Sequence, residues 1–131
     1  LSGIGSYTAG AIASIAYGEV APVVDGNVLR VISRVLASTN DISSQKVKTQ
    51  MEKDLQPIIP KECPGTYNQA LMEIGALVCL PTKEPHCNEC PMENICLSHK
   101  KNLTDVIPYK APKKQRKIEK KRYYLLNMKI K

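Results

Sequence analysis

Four of the five cysteines in the sequence fall within eighteen residues, at Cys79, Cys87, Cys90 and Cys96, in the pattern C-x7-C-x2-C-x5-C. Thiolates converging from one short loop can hold a tetrahedral zinc ion or an iron–sulfur cluster. Zinc sites more often use two C-x-x-C knuckles. Only one is present here, and the wider spacings suit wrapping around a larger object. The odd count and tight grouping do not fit a secreted disulfide framework and point to a reducing compartment. Cys63 stands apart, beside Pro64, and reads as a small core or surface thiol without a role. A second candidate is Asp25 in "VVDGNVLRV", a lone carboxylate ahead of an apolar run. It has the position of a helix N-cap and also the chemistry of a carboxylate that stabilises a developing positive charge. A third is "LSGIGSYTA", where Gly3 and Gly5 flank Ile4 directly before a helical pattern. Two glycines allow close approach of another chain, and the free N–H groups of the following helix can meet phosphate without any lysine.

These groups need elements to hold them. "SYTAGAIASIAYG" predicts a helix over about 7–17, with Gly18 as its stop. Val28, Leu29, Ile32, Val35 and Leu36 recur on one helical face after Asp25, while Arg30 and Arg34 ride on another and read as a solvated face or as partners of acidic residues. Val47, Met51 and Leu55 predict a third helix capped by Ser43 or Ser44, and Tyr67, Leu71, Ile74 and Val78 a fourth. The cysteines lie in loops and short turns. From about residue 102 the chain reads as a Pro-containing basic linker, and "YYLLNMKIK" as a strand. The body is therefore all-α.

At 131 residues the chain has the length of one domain, with a core that must do without Phe or Trp. Its net charge of +7 is unevenly spread. Residues 110–131 carry ten Lys or Arg against the single acid Glu119, leaving residues 1–109 slightly acidic. Charge alone thus does not mark the body as a nucleic-acid binder, and any grip on phosphate must come from backbone groups or a few placed side chains. No apolar run approaches the roughly 18 residues of a membrane span, and no signal peptide opens the sequence. The first residues begin in mid-pattern, which reads as a piece of something longer.

Taken together, L-S-G-I-G-S-Y-T-A, then V-D-G-N-V about twenty residues later, then the four cysteines resemble the helix–hairpin–helix base-excision DNA glycosylases that carry a 4Fe–4S cluster. Within that superfamily "VDGNV" and "YTAGA" resemble the MutY-type adenine DNA glycosylases, which remove adenine mispaired with 8-oxoguanine. In the endonuclease III branch, a Schiff-base lysine stands where this chain has Tyr7, so β-elimination through that position is not expected. The mismatch thymine glycosylase branch shares the Tyr7 and Asp25 positions and is the alternative. Gly26 and "NQALMEIGALVC" favour the adenine branch.

The resemblance implies a partial helix–hairpin–helix domain over 1–78, an iron–sulfur loop over 79–101, a basic linker over 102–122 and the start of a C-terminal domain over 123–131. It implies that Asp25 stabilises an oxocarbenium-like sugar, that Asn27 holds a nearby sugar or water, and that Tyr7 lies against the reacting sugar. Leu1, Gly3, Ile4, Gly5, Gln69 and Lys83 become candidate DNA contacts, with Gln69 able to hydrogen-bond adenine edges. Cys79, Cys87, Cys90 and Cys96 become the ligands of a structural 4Fe–4S cluster that pins loop 80–86 against DNA.

The expected partner is duplex DNA with an adenine mispair, and a monomer acting at the nucleoid in a bacterial cytoplasm is expected. Three departures matter. Ser2 stands where the family usually has Pro, loop 80–86 is one residue longer than expected, and the family's adenine-protonating glutamate and first helices lie N-terminal to the hairpin. Without those helices, the apolar faces of 8–17 and 28–36 would be bare, and the chain would act as a non-catalytic DNA-binding module. A zinc-stapled scaffold is the remaining contrast.

Overall fold

In the computed structural model, residues 3–81 and 84–112 are described, and they form a helical body. The first, α1 (Ser6–Tyr17), is built from Ala and small residues. It ends as the sequence predicts, with Gly18 in the left-handed conformation at φ 66° and its N–H donating to Ala13 O. Small residues let α1 be approached closely. A Cβ on Gly10 would lie 2.5 Å from Pro22 O, so the extended segment after α1 runs back along it.

The central helix is α2 (Gly26–Val35), capped by the Asp25 side chain. The extended Val23 and Val24 that precede it are fully buried, as are Val28 and, nearly so, Val31. Each such side chain contributes roughly 1.5–3 kcal/mol of apolar burial. Val24, Val28 and Leu29 join Met51 and Leu55 of α3 (Gln45–Leu55) and Leu71 of α4 (Pro64–Glu73) in the core. Of the predicted apolar stripe on α2 only Leu36, just past its end, is left bare, whereas Ile12, Ile15 and Tyr17 of α1 are exposed as expected.

Helices α1 and α4 lie side by side in opposite directions. Gly65 at the start of α4 sits against Ser14 and Ile15 near the end of α1, and Met72 near its end meets Tyr7 near the start of α1. Between them the buried Asn68 amide donates to Ser14 Oγ at 2.9 Å and to Ala21 O at 2.8 Å. A buried amide is tolerable because both donors are used.

Two boundaries differ from the sequence expectation. Ser44 occupies the N-cap position of α3 without a side-chain bond, because Asp41 engages Ser43 instead, accepting from its N–H at 2.9 Å and its hydroxyl at 2.7 Å. The fourth helix does not run as an α-helix to Val78. At Ile74 it widens into a π turn (Ile74–Val78), with Cys79 N–H reaching Ile74 O at 2.7 Å.

After Cys79 the chain makes single turns at Cys87–Glu89 and Glu93–Ile95 and the short α5 (Leu97–Lys100), as expected of the loop region. The strap that follows returns along α2 and is tied to the α2–α3 loop by Ile42 N–H on Tyr109 O and Ala111 N–H on Asp41 Oδ1. No strand occurs among the described residues. The expected strand at 123–131, residues 113–122 of the basic linker, Leu1 and Lys83 lie outside them. No described helix is long and apolar enough to cross a membrane.

Candidate functional site

Asp25 caps α2 and is held from two sides. Its Oδ1 accepts the Val28 N–H at 2.8 Å, and its Oδ2 accepts the Asn27 amide at 3.0 Å. Both oxygens are therefore aimed by the start of a buried helix, and the half-buried carboxylate keeps lone pairs free for another group. Asn27 is itself fixed, since its Oδ1 accepts from Arg30 Nη2 at 2.9 Å.

The arginines overturn the expectation of a solvated face. Arg30 is 8% and Arg34 5% exposed, and neither meets a carboxylate directly; the ion pair recorded among the described residues is His99–Glu93. Both instead donate to carbonyls. Arg30 reaches Gly75 O at 2.6 Å and Cys79 O at 2.7 Å. Arg34 reaches Ile107 O at 2.8 Å, Leu80 O at 3.0 Å and Thr104 O at 3.0 Å, and it touches Cys79 Sγ at 3.2 Å. Burial lowers the Arg30 pKa from its ordinary value, with Arg34 adding to that, while Cys79 and Asp25 act in the opposite direction. Arg remains protonated, because its intrinsic affinity is so high. A positive charge is thereby fixed beside the cysteine loop, where carbonyl dipoles and a thiolate can offset it.

Cys79, Cys87, Cys90 and Cys96 line one cavity together with Val31, Arg34, Val35 and Val78. Cys96 also donates through Sγ to Arg34 O at 3.5 Å. Burial raises the Cys87 and Cys90 pKa values, and the neighbouring thiolates raise them further. Four thiols that repel one another as anions, in an apolar hollow beside a buried guanidinium, fit a positively charged sulfur-binding centre. Among the described residues no three His, Cys, Asp or Glu side chains form a ready-made ion site. Cys63 is exposed, at the surface rather than in the core.

The remaining candidates lie just before α1, in its first turn, and on α4. Gly3 adopts φ 82°, Ile4 is 38% exposed, and Gly5 stands at the N-cap position of α1, where no side chain occupies the first-turn N–H groups. Tyr7, in that first turn, is 41% exposed and reaches only Met72 Sδ, at 3.9 Å. Gln69 is exposed on α4. The structure thus brings Asp25 and Asn27 together, and the four cysteines around one cavity, while no hydrogen bond joins Tyr7 or Gln69 to Asp25.

No family model matches the chain. Over 96 residues it is 51% identical to the adenine DNA glycosylase of Homo sapiens, covering 73% of this chain and 17% of that protein. To the adenine DNA glycosylase of Buchnera aphidicola subsp. Baizongia pistaciae (strain Bp) it is 36% identical over 131 residues, covering all of this chain and 36% of the relative. Over this stretch the chain is a homologue of the adenine DNA glycosylases. A solved structure titled as a thermostable thymine-DNA glycosylase is similar in fold, with a TM-score of 0.65 and 29% identity, over 76% of this chain and 45% of that one. The chain spans about a fifth of the length of the Homo sapiens and Rattus norvegicus adenine DNA glycosylases and about a third of the Buchnera ones.

Two features of this adenine DNA glycosylase homologue escape the sequence patterns. The arginine pair carries a signal in hindsight. Neither has an acidic residue three or four positions away on its helix, so neither has a ready partner there. The other is Gly75, a glycine inside a helical pattern, whose place against Asn27 only the packing reveals.

Proposed function

We propose that this chain is the part of an adenine DNA glycosylase that carries the sugar-stabilising carboxylate, and that the whole protein hydrolyses the N-glycosidic bond of adenine mispaired with 8-oxoguanine or guanine in duplex DNA. The observation that carries this reading is Asp25, fixed through Val28 N–H and Asn27 at the start of a buried helix, in a chain homologous to enzymes of that name. The target nucleotide must first leave the base stack. The glycosidic bond then breaks as a protonated adenine departs with the bonding pair, and water adds to the anomeric carbon and loses a proton. Asp25 lowers the barrier by facing the positive charge that develops on the sugar. Asn27 holds the carboxylate and a nearby sugar or water, Tyr7 lies against the sugar, and Gln69 contacts the adenine edge.

In this reading the free N–H groups at the start of α1, with Gly3, Ile4 and Gly5, meet DNA phosphate, and Leu1 and Lys83 add contacts. Cys79, Cys87, Cys90 and Cys96 hold a 4Fe–4S cluster, as their donor chemistry and spacing favour. The cluster ties the cysteine loop into one rigid lip. The protein acts as a monomer in a bacterial cytoplasm, at the nucleoid.

Substrate choice tests the reading. A polypeptide of the relatives' length that contains this chain should release adenine from a duplex with adenine opposite 8-oxoguanine. It should leave thymine opposite guanine intact. Thymine release with adenine untouched would transfer the assignment to the mismatch thymine branch, whose likeness in fold is the one observation favouring it.

A further inference from the structure

The π turn Ile74–Val78 alters which backbone groups are free. In a continuous α-helix the Cys79 N–H would bond to Gly75 O. Here it bonds to Ile74 O, and Gly75 O is released to accept from Arg30 Nη2 at 2.6 Å. That same nitrogen donates to Asn27 Oδ1 at 2.9 Å. Gly75 and Asn27 therefore share one donor, and they also touch directly. A Cβ on residue 75 would lie 2.5 Å from Asn27 Cβ, 3.0 Å from its Cα and 3.2 Å from its carbonyl carbon. Two of those three atoms are backbone, so no rotamer of Asn27 makes room, and the start of α2 would have to move. Gly26, one residue from the carboxylate, has open space around it. Of the two glycines beside the carboxylate, the restriction falls on position 75.

We propose that Gly75 is a positioning residue for Asp25: the bare Cα at the π turn is the wall against which Asn27 is seated, so that its amide aims the Asp25 carboxylate. Any side chain at position 75 pushes Asn27 outward and turns the carboxylate with it. The wall and the Arg30 bridge act together, one from contact and one from hydrogen bonding. This inference rests on the reading of Asp25 as the carboxylate of base removal.

The test is a single-turnover measurement of adenine release from an adenine:8-oxoguanine duplex, using a polypeptide of the relatives' length that contains this chain, compared with Gly75→Ala and Asp25→Asn. Displacing the carboxylate by on the order of 1 Å should cost Gly75→Ala about a hundredfold in rate constant. Its active fraction, and its affinity for a duplex whose target nucleotide carries a rate-slowing 2′-fluorine, should stay within about twofold of the parent. A merely structural role would lower the active fraction and leave the rate constant of the folded molecules unchanged, and that result overturns the proposal. If Gly75→Ala does not fold, the same substitution is read on Asn27→Gly, which removes the 2.5 Å conflict and the amide that aims Asp25, leaving only the 3.0 and 3.2 Å backbone approaches. There it should cost less than about threefold, whereas a tenfold or larger cost on that background overturns the proposal. Asp25→Asn separates the two claims. If it keeps the parent's rate, the reading beneath the proposal fails. If it is inactive while Gly75→Ala runs at the parent's rate, only the positioning role fails.

Discussion

At the scale of single residues, the site is organised by two guanidinium groups that donate almost entirely to uncharged acceptors. Arg34 joins α2 to Leu80, Thr104 and Ile107 and touches Cys79 Sγ, so one side chain fastens three distant stretches of chain. The fork geometry is what makes this possible, since a lysine ammonium could not span the same acceptors. Arg34→Met should leave buried carbonyls without donors, each at about 1–3 kcal/mol. The expected result is a loss of about 3–5 kcal/mol in chemical denaturation, with Arg34→Lys recovering little of it. A loss below about 1 kcal/mol would mean that the strap is held by its apolar contacts alone. The cap role of Asp25 was legible in the sequence and is what the structure shows; in the proposed reading the same carboxylate faces the sugar, with its second oxygen held by the Asn27 amide. The burial of Arg30 and Arg34 was not legible. Helical periodicity places a residue on a face, but cannot say which faces of a central helix a later loop will cover.

At the scale of elements, the contact between α1 and α4 depends on two small residues and one amide. A Cβ on Gly65 would lie 2.8 Å from Ser14 O and 2.9 Å from Ile15 Cα, so the helices cannot stay at their present separation if that position is enlarged. Gly65→Ala should destabilise by about 1–3 kcal/mol through overpacking. The control is Gly26→Ala, which meets nothing within 4 Å and should be neutral or slightly stabilising. Thermal unfolding of both variants checks the pair, and equal effects would show that helix spacing is not what matters. The extents of α1, α2 and α3 follow from periodicity and stop signals, because an Ala-rich run ending in glycine and an aspartate before an apolar run carry local instructions. The π turn does not follow from them. It arises where Cys79 leaves its helix, and the compensation is a tertiary one, Arg30 taking the carbonyls that the turn sets free.

At the scale of the whole molecule, a helical body places one carboxylate at the head of α2 and four cysteines around one cavity near its other end, with Arg30 and Arg34 between them. The cysteine spacing announced the grouping, while the contact of Arg34 with Cys79 Sγ required the fold. Iron and sulfide supplied under reducing conditions should give a brown protein absorbing at about 400 nm. Removal of the metal should loosen loop and strap together, raising their amide exchange before that of α1 and α4. A colourless protein that takes up one zinc ion would instead identify a tetrahedral thiolate site. The most direct test of the account concerns the carboxylate. In a polypeptide of the relatives' length containing this chain, the single-turnover rate of adenine release should fall by about a thousandfold or more in Asp25→Asn, a substitution that keeps shape and removes charge. Affinity for the mispaired duplex should change by less than about threefold. Adenine release at the parent's rate, or an equal loss of rate and affinity, would reduce Asp25 to a helix cap and contradict the account.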